Sequence, residues 1–311
     1  MADYLFGVDV GGTTVKMGLF DKDGNVIEKW EIPTRTANGG EKILPDIADS
    51  IKAKMAEKGI AGEDVIGAGV GVPGPVDGNG IVHRAVNLGW GEMDLKKELT
   101  ALLDGMRVEC GNDANVAALG EMWKGGGQGH RNLVAVTLGT GVGGGIIIDG
   151  EIVTGATGAG GEIGHIHVED NETEACGCGN YGCLEEYASA TGITRLANRA
   201  LADSDRDSVL RTGEVSAKTV FDAVKAGDAL AVEVAQKFGD YLGKALGVIA
   251  GVINPEIFVI GGGVSKAGEV LFDYIKPSYE KTVFHGSRNV IFALATLGND
   301  AGIYGAARML L

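Results

Sequence analysis

Residues 162–186 read EIGHIHVEDNETEACGCGNYGCLEE. They hold three of the chain's four cysteines, Cys176, Cys178 and Cys183, and two of its five histidines, His165 and His167. One imidazole and three thiolates complete a tetrahedral shell for zinc, and such soft donors select zinc over hard cations. Cys176-Gly-Cys178 is too tight for an easy disulfide, whose Cα atoms need a set separation and dihedral. Glycines at 177, 179 and 182 let the backbone fold around one ion. The stretch therefore predicts a zinc site. Whether the metal does chemistry depends on the elements around it.

Those elements must come from a chain of 311 residues, long enough for one large or two moderate domains. With 45% hydrophobic and 22% charged residues it has the composition of an ordinary soluble globular protein. Glycine is the exception, at 53 residues, more than twice the usual share of about 7%. No collagen-like period accompanies it, so the excess is expected in tight turns and ligand-hugging loops. A net charge of −15 argues against nucleic acid as a partner, because phosphate binding needs a basic face. The first ten residues, MADYLFGVDV, lack the basic start of a signal peptide, and no apolar run approaches the length of a membrane span. Three clustered cysteines and Cys110 alone fit a reducing cytoplasm better than a disulfide scaffold.

Along the first half, strands alternate with helices, which indicates an α/β fold. An apolar strand at Tyr4–Val10 leads into Asp9-Val-Gly11-Gly12-Thr13-Thr14-Val-Lys16, followed by strands over 15–20 and 26–32. A glycine loop between two strands differs from the P-loop and Rossmann turns, which both lead into helices. Its backbone N–H groups can still cradle phosphate, and Asp9 can hold a metal through water. Ile43, Ile47, Ile51 and Met55 give 41–58 helical periodicity. A strand at Val65–Val72 closes on Pro73-Gly74-Pro75, and Asn87 sits in the following segment, 81–90. Asp94 is placed to cap a helix over 94–103. A strand over 107–110 precedes Gly111-Asn112-Asp113-Ala114, which opens a helix to about Trp123.

Residues 132–153 replay the beginning. Val8 matches Val136, Gly11 matches Gly139 and Asp21 matches Asp149, all at one offset, and Gly111-Asn112-Asp113-Ala114 is echoed by Gly298-Asn299-Asp300-Ala301. A duplicated α/β domain with one glycine hairpin per half can face both hairpins onto one polyphosphate. The layout resembles the actin and sugar-kinase superfamily: duplicated actin-like, ribonuclease H-like ATPase domains with a central nucleotide and sugar cleft. Gly261-Gly262-Gly263-Val264, after the apolar run 257–260, looks like that superfamily's adenosine-side turn.

Over essentially its whole length the chain resembles the ROK family (repressor, open reading frame, kinase), and within it the bacterial glucokinases. Asp9–Lys16, Asn112-Asp113, 138–146, Glu162-Ile-Gly-His165 and 176–185 carry the resemblance. It implies a structural zinc on His165, Cys176, Cys178 and Cys183. It also implies a hexose held by Asn112, Asp113, Glu162, His165 and Glu185, with Asn87 and the Gly74 backbone as further contacts. Carboxylates and amides suit a ring of hydroxyls, because a mismatched epimer leaves a buried group unpaired. His167 is expected as a strand neighbour, since the shell is already full.

Asp113 is expected to be the general base, taking the proton of the sugar's primary hydroxyl as that oxygen attacks the γ-phosphate of Mg–ATP. The alternative is that it only caps the helix beginning at Ala114. Asp9, Gly11, Gly12, Thr13, Thr14, Lys16, Thr140, Gly141, Gly262 and Gly263 are expected on the nucleotide, with Mg²⁺ and loop amides neutralising charge. Zinc then shapes the sugar pocket rather than reacting. A small domain of 1–115 plus 299–311 and a large one of 116–298 are expected. The family's repressor branch carries an additional N-terminal helix-turn-helix, which is not expected here because the hairpin begins within the first ten residues. Glucose or a related hexose and ATP are the expected partners, in a cytoplasmic homodimer or homotetramer.

Overall fold

The computed structural model describes residues 3–311; Met1 and Ala2, at the start of the expected small domain, lie outside the described residues. Its strands are β1 (Tyr4–Val10), β2 (Thr14–Asp21), β3 (Val26–Pro33), β4 (Val65–Val72), β5 (Ile81–Val82), β6 (Met93–Asp94), β7 (Val108–Asn112), β8 (Leu133–Leu138), β9 (Val142–Ile148), β10 (Glu151–Ile152), β11 (Ile257–Gly261) and β12 (Ile291–Leu294). The helices are α1 (Ala37–Gly40), α2 (Ile43–Lys58), α3 (Leu95–Leu102), α4 (Asp113–Lys124), α5 (Glu185–Ala188), α6 (Ala190–Ala202), α7 (Ala217–Lys225), α8 (Ala229–Ile253), α9 (Val270–Thr282) and α10 (Ala301–Arg308).

Two five-stranded sheets have the orders β3-β2-β1-β4-β7 and β10-β9-β8-β11-β12. The second is the first repeated, strand for strand, so the duplication legible at residues 8–27 and 136–153 extends to the whole topology. In the first sheet β1 pairs antiparallel with β2 and parallel with β4, and β4 is parallel to β7. In the second, β11 is parallel to both β8 and β12. The central strands β4 and β11 are buried almost throughout, as parallel strands covered on both faces must be. The edge strand β3 instead alternates in exposure from residue to residue.

Residues cluster into two compact units. The first comprises the described residues up to Arg131, together with Gly145–Gly161 and Leu297–Leu311. Its core packs Phe6, Val8, Val70 and Val72 of the sheet against Ile43, Ile47 and Ile51 of α2. On the other face Ile303, Ala307 and Leu310 pack on Leu5 and Phe20. The second unit comprises Asn132–Gly144 and Glu162–Thr296. Its helix α8 is buried along one face from Leu230 to Ala250.

Three local expectations are adjusted. The strand expected over 107–110 continues through Gly111 to Asn112, because both residues still pair with β4. The echo at Gly298-Asn299-Asp300 is a single 3₁₀ turn, and the helix starts only at Ala301. The glycine excess also has a packing role beyond loops. A Cβ on Gly7 would meet the Ile303 carbonyl oxygen at 2.0 Å, and one on Gly69 the Ala306 oxygen at 1.7 Å, so α10 lies directly on the sheet backbone. Gly120 and Gly305 bring α4 and α10 equally close, at 2.2 Å from the Ala301 oxygen and 1.7 Å from the Val116 oxygen.

Candidate active site and metal centre

The first glycine loop joins β1 to β2. The Gly11 N–H donates to the Thr14 carbonyl at 3.0 Å and closes the turn. The amides of Gly12 and Thr13 then donate to nothing among the described residues, forming the kind of backbone concavity that binds anions. Asp9 and Lys16 face each other across the hairpin register, and the Lys16 ammonium donates to the Asn299 carbonyl at 3.1 Å. Burial raises the Asp9 carboxyl to about 6, Lys16 opposes that rise, and the charge of Asp113 adds to it. The three ionic side chains therefore share one corner of the first unit. Asn87 belongs to the same neighbourhood: a Cβ on Gly12 would come within 3.8 Å of the Asn87 Cβ.

Asn112 ends β7 and caps α4, its side-chain oxygen accepting from the amides of Ala114 and Asn115 at 3.0 and 3.2 Å. Its Nδ2 donates to Asp113 Oδ1 and to the Gly74 carbonyl, both at 3.1 Å. Asp113 Oδ1 also accepts the Ala114 amide at 2.8 Å. Because Asn112 is the cap, capping alone does not account for Asp113, whose carboxylate is oriented by two donors. Its counterpart in the repeat behaves differently: Asp300 makes no capping bond and pairs with Lys29 at 2.6 Å on the surface.

In the second unit, His165, Cys176, Cys178 and Cys183 bring one ligand atom each within 4.8 Å of one another. Cys178 and Cys183 sulfurs are 3.6 Å apart, and Cys176 Sγ is 3.8 Å from His165 Nδ1. Zinc–sulfur bonds of about 2.3 Å in a tetrahedron require sulfur–sulfur edges of about 3.8 Å, so the group fits a zinc ion as it stands. His165 turns Nε2 toward Glu162, 4.0 Å away. His167 lies outside the group. Its bridge partner is Cys183, and its ring nitrogens bond the Tyr181 carbonyl and Asp170, both at 2.9 Å.

The second glycine loop joins β8 to β9 and turns one residue sooner, with the Gly139 N–H on the Gly141 carbonyl at 3.0 Å. Thr140 and Gly141, which align with Gly12 and Thr13, likewise have amides that donate to nothing among the described residues. Glu185 Oε2 accepts the Val142 amide at 3.0 Å, and its Oε1 lies 3.8 Å from Cys176 Sγ. Gly262, in a left-handed conformation at φ 82°, abuts the end of β8, where a Cβ would meet the Leu138 oxygen at 2.4 Å. A cavity of about 170 Å³ lies next to it, between α7 and residues Gly263, Val264, Lys266 and Ala267.

Sequence reasoning missed what anchors the metal loop. Glu172 is almost fully buried, its side chain 2% exposed, and pairs with Arg195 at 2.7 Å and Arg199 at 3.3 Å. The Tyr187 hydroxyl donates to it at 2.5 Å. Burial disfavours its charge, but the hydrogen bonds from Tyr187, the Glu174 amide and the two arginines overcome this and hold it well below the usual carboxylate range. Tyr187 stacks on Tyr241, which donates to Glu169 at 2.8 Å. The only signal in the sequence was Arg195 and Arg199, one helical turn apart, matching the acidic 169–174 segment.

Two sheets of matching order, each opening on a glycine hairpin, define an actin-like α/β ATPase fold. The chain belongs to the ROK family, whose model matches residues 5–311. It is 44% identical over 308 residues to a glucokinase of Halalkalibacterium halodurans, across 97% of this chain and 93% of that one. A ROK-family glucokinase from Streptomyces griseus, solved with glucose and AMPPNP, is 34% identical over 98% of both chains with a TM-score of 0.72. A ROK hexokinase from Thermus thermophilus superposes with a TM-score of 0.81 at 30% identity, covering 98% of this chain and 96% of that one.

Proposed function

We propose that the protein phosphorylates glucose on its 6-hydroxyl with ATP. That it is a sugar kinase follows from the family and from its full-length relation to glucokinases. The finer reading is carried by the Asp113 corner: a carboxylate oriented by Asn112 and the Ala114 amide, close enough to Asp9 for their charges to interact. In this reading Asp113 accepts the proton of the sugar's 6-hydroxyl. That oxygen forms the new bond to the γ-phosphorus, the bond from phosphorus to the β-bridging oxygen breaks, and ADP leaves. Asp9, Gly11, Gly12, Thr13, Thr14 and Lys16 of the first unit serve the nucleotide, as do Thr140, Gly141, Gly262 and Gly263 of the second. Mg²⁺, when bound with ATP, would neutralise phosphate charge, and Asp9 would hold it through water.

Asn112, Asp113, Asn87 and the Gly74 backbone are proposed to bind the sugar, with Glu162, His165 and Glu185. The thiolate–imidazole group holds a structural zinc. No coordination position is left for substrate once His165 and three cysteines are counted, so zinc fixes the geometry of His165 and Glu185 rather than reacting. Functionally, we assign 1–115 with 299–311 to the small domain and 116–298 to the large one. Reduced thiols support a cytoplasmic enzyme. No described helix is long and apolar enough to cross a membrane. Val248 and Val252, exposed by 60% and 83% on α8, support a homodimer or homotetramer.

The test is ADP release measured across glucose, fructose, mannose, N-acetylglucosamine and N-acetylmannosamine, with ATP and with polyphosphate. The highest kcat/KM is expected for glucose with ATP. A higher value for another hexose or for polyphosphate moves the assignment to that substrate, and turnover independent of sugar discards the kinase reading.

A further inference from the structure

We propose that Thr34 and Thr191 are positioning residues for ATP, each aiming one backbone amide of a glycine loop at phosphate; this rests on the kinase reading above. The Thr34 hydroxyl donates to the Gly11 carbonyl at 2.7 Å, and the Thr34 amide donates to the Thr13 carbonyl at 2.9 Å. Within a trans peptide unit the C=O and N–H point in opposite directions, and the described chain has no cis bond. Holding the Gly11 oxygen from behind therefore turns the Gly12 N–H outward, and that N–H is one of the two amides with no partner among the described residues.

The second loop has the same device built from different residues. The Thr191 hydroxyl donates to the Thr140 carbonyl, which turns out the Gly141 N–H, and the Ala190 amide donates to the Gly139 carbonyl at 2.8 Å, which turns out the Thr140 N–H. Both outward amides are again without a partner among the described residues. In each unit, then, a threonine from outside the hairpin grips a loop carbonyl. The grip matters because these peptides are flanked by glycine, whose backbone rotates at little steric cost. A flipped peptide would present a carbonyl oxygen to phosphate in place of a donor. Thr34 directly follows β3, ahead of α1, and Thr191 lies in the first turn of α6, so each is tethered to a regular element next to its loop.

The experiment compares Thr34→Val, which removes the hydroxyl but keeps shape and backbone amide, with Thr34→Ser, which keeps the hydroxyl. Thr191→Val and Thr191→Ser repeat the test in the other loop, so that a variant failing to fold leaves the second pair to decide. Steady-state kinetics with the best sugar and calorimetric binding of ATP and adenosine are read on the full chain. Each valine variant is expected to lose about 3–10-fold in kcat/KM for ATP, the size of one hydrogen bond. KM for the sugar and affinity for adenosine, which has no phosphate, should stay within about twofold, and each serine variant should recover. A valine variant indistinguishable from wild type, or one that loses adenosine as much as ATP, overturns the assignment for that threonine. Absence of ATP- and sugar-dependent turnover in the wild-type chain would instead remove the kinase reading itself.

Discussion

Glu185 and Val142 are tied by one hydrogen bond, the Val142 amide donating to Glu185 Oε2 at 3.0 Å. The other carboxylate oxygen is 3.8 Å from Cys176 Sγ. A single side chain thus links the metal group to the second glycine loop. The space it occupies is tight, since a Cβ on Gly141 would meet the same Oε2 at 2.0 Å.

Glu185→Gln should therefore keep an acceptor for Val142 but lose the charge that Glu185 is proposed to offer to sugar hydroxyls. We expect glucose KM to rise about tenfold or more, the scale of a charged hydrogen bond. Gly141→Ala should give a similar rise by displacing Glu185. Metal content, measured by elemental analysis, should stay near one zinc per chain in both. An unchanged KM in Glu185→Gln would remove Glu185 from the sugar contacts.

Asp113→Asn preserves size and can still accept the Ala114 amide, so the start of α4 should stay folded. What it loses is the ability to take a proton. Turnover should fall by about 10²–10⁴-fold, with glucose binding and melting temperature largely unchanged. Near-normal turnover would assign the proton to another group.

How much of this was legible depended on sequence distance. The metal group lies within 19 residues (165–183) of unusual composition, and the repeat preserved the glycine hairpins at one offset. Asp94 announced its cap, and its side chain does accept the Lys97 amide. Thr34 and Thr191 were invisible because they grip carbonyls 23 and 51 residues away, and nothing in a threonine's neighbours announces that. Glu172 sits in a polar run, NETE, that looks like a solvated face until Tyr187, Arg195 and Arg199 close over it. Gly111-Asn112 resembled a helix opening because asparagine caps helices. Here it caps from the last position of a strand.

Asp9 makes a pH prediction whose sign runs against the usual carboxylate. Its pKa is raised from 3.8 to about 6, chiefly by burial, so the folded state holds a proton that the unfolded chain has released. Ligand-free stability should therefore fall as pH rises from about 4 to 6, by about 3 kcal/mol when fully ionised. Asp9→Asn should flatten that slope and stabilise the apo protein at pH 7–8, as measured by denaturant unfolding. The same variant should lose activity if, as proposed, the ionised carboxylate serves the metal–nucleotide. In the wild type, kcat/KM for ATP should fall below pH 6.

The metal loop makes the last prediction. Between Ile166 and Leu184 the backbone forms turns and the isolated bridges His167–Cys183 and Ala175–Tyr181 rather than a helix or a multi-residue strand, so the proposed ion and Glu172 are expected to supply much of its order. Chelation should lower Tm by about 5–10 °C, reversibly on adding zinc, because structural metal binding is coupled to folding. Glu172→Ala leaves the Tyr187 hydroxyl without this acceptor and Arg195 with only Glu174 and Glu186, and should cost about 1–3 kcal/mol. Since Glu172 is held well below its ordinary 4.5, its contribution is present above that pH and is lost progressively as the solution becomes more acidic. Calorimetry from pH 7 down to 3 should show a steeper loss of stability in wild type than in Glu172→Gln. Equal slopes would mean that the buried carboxylate does not anchor the loop through its charge.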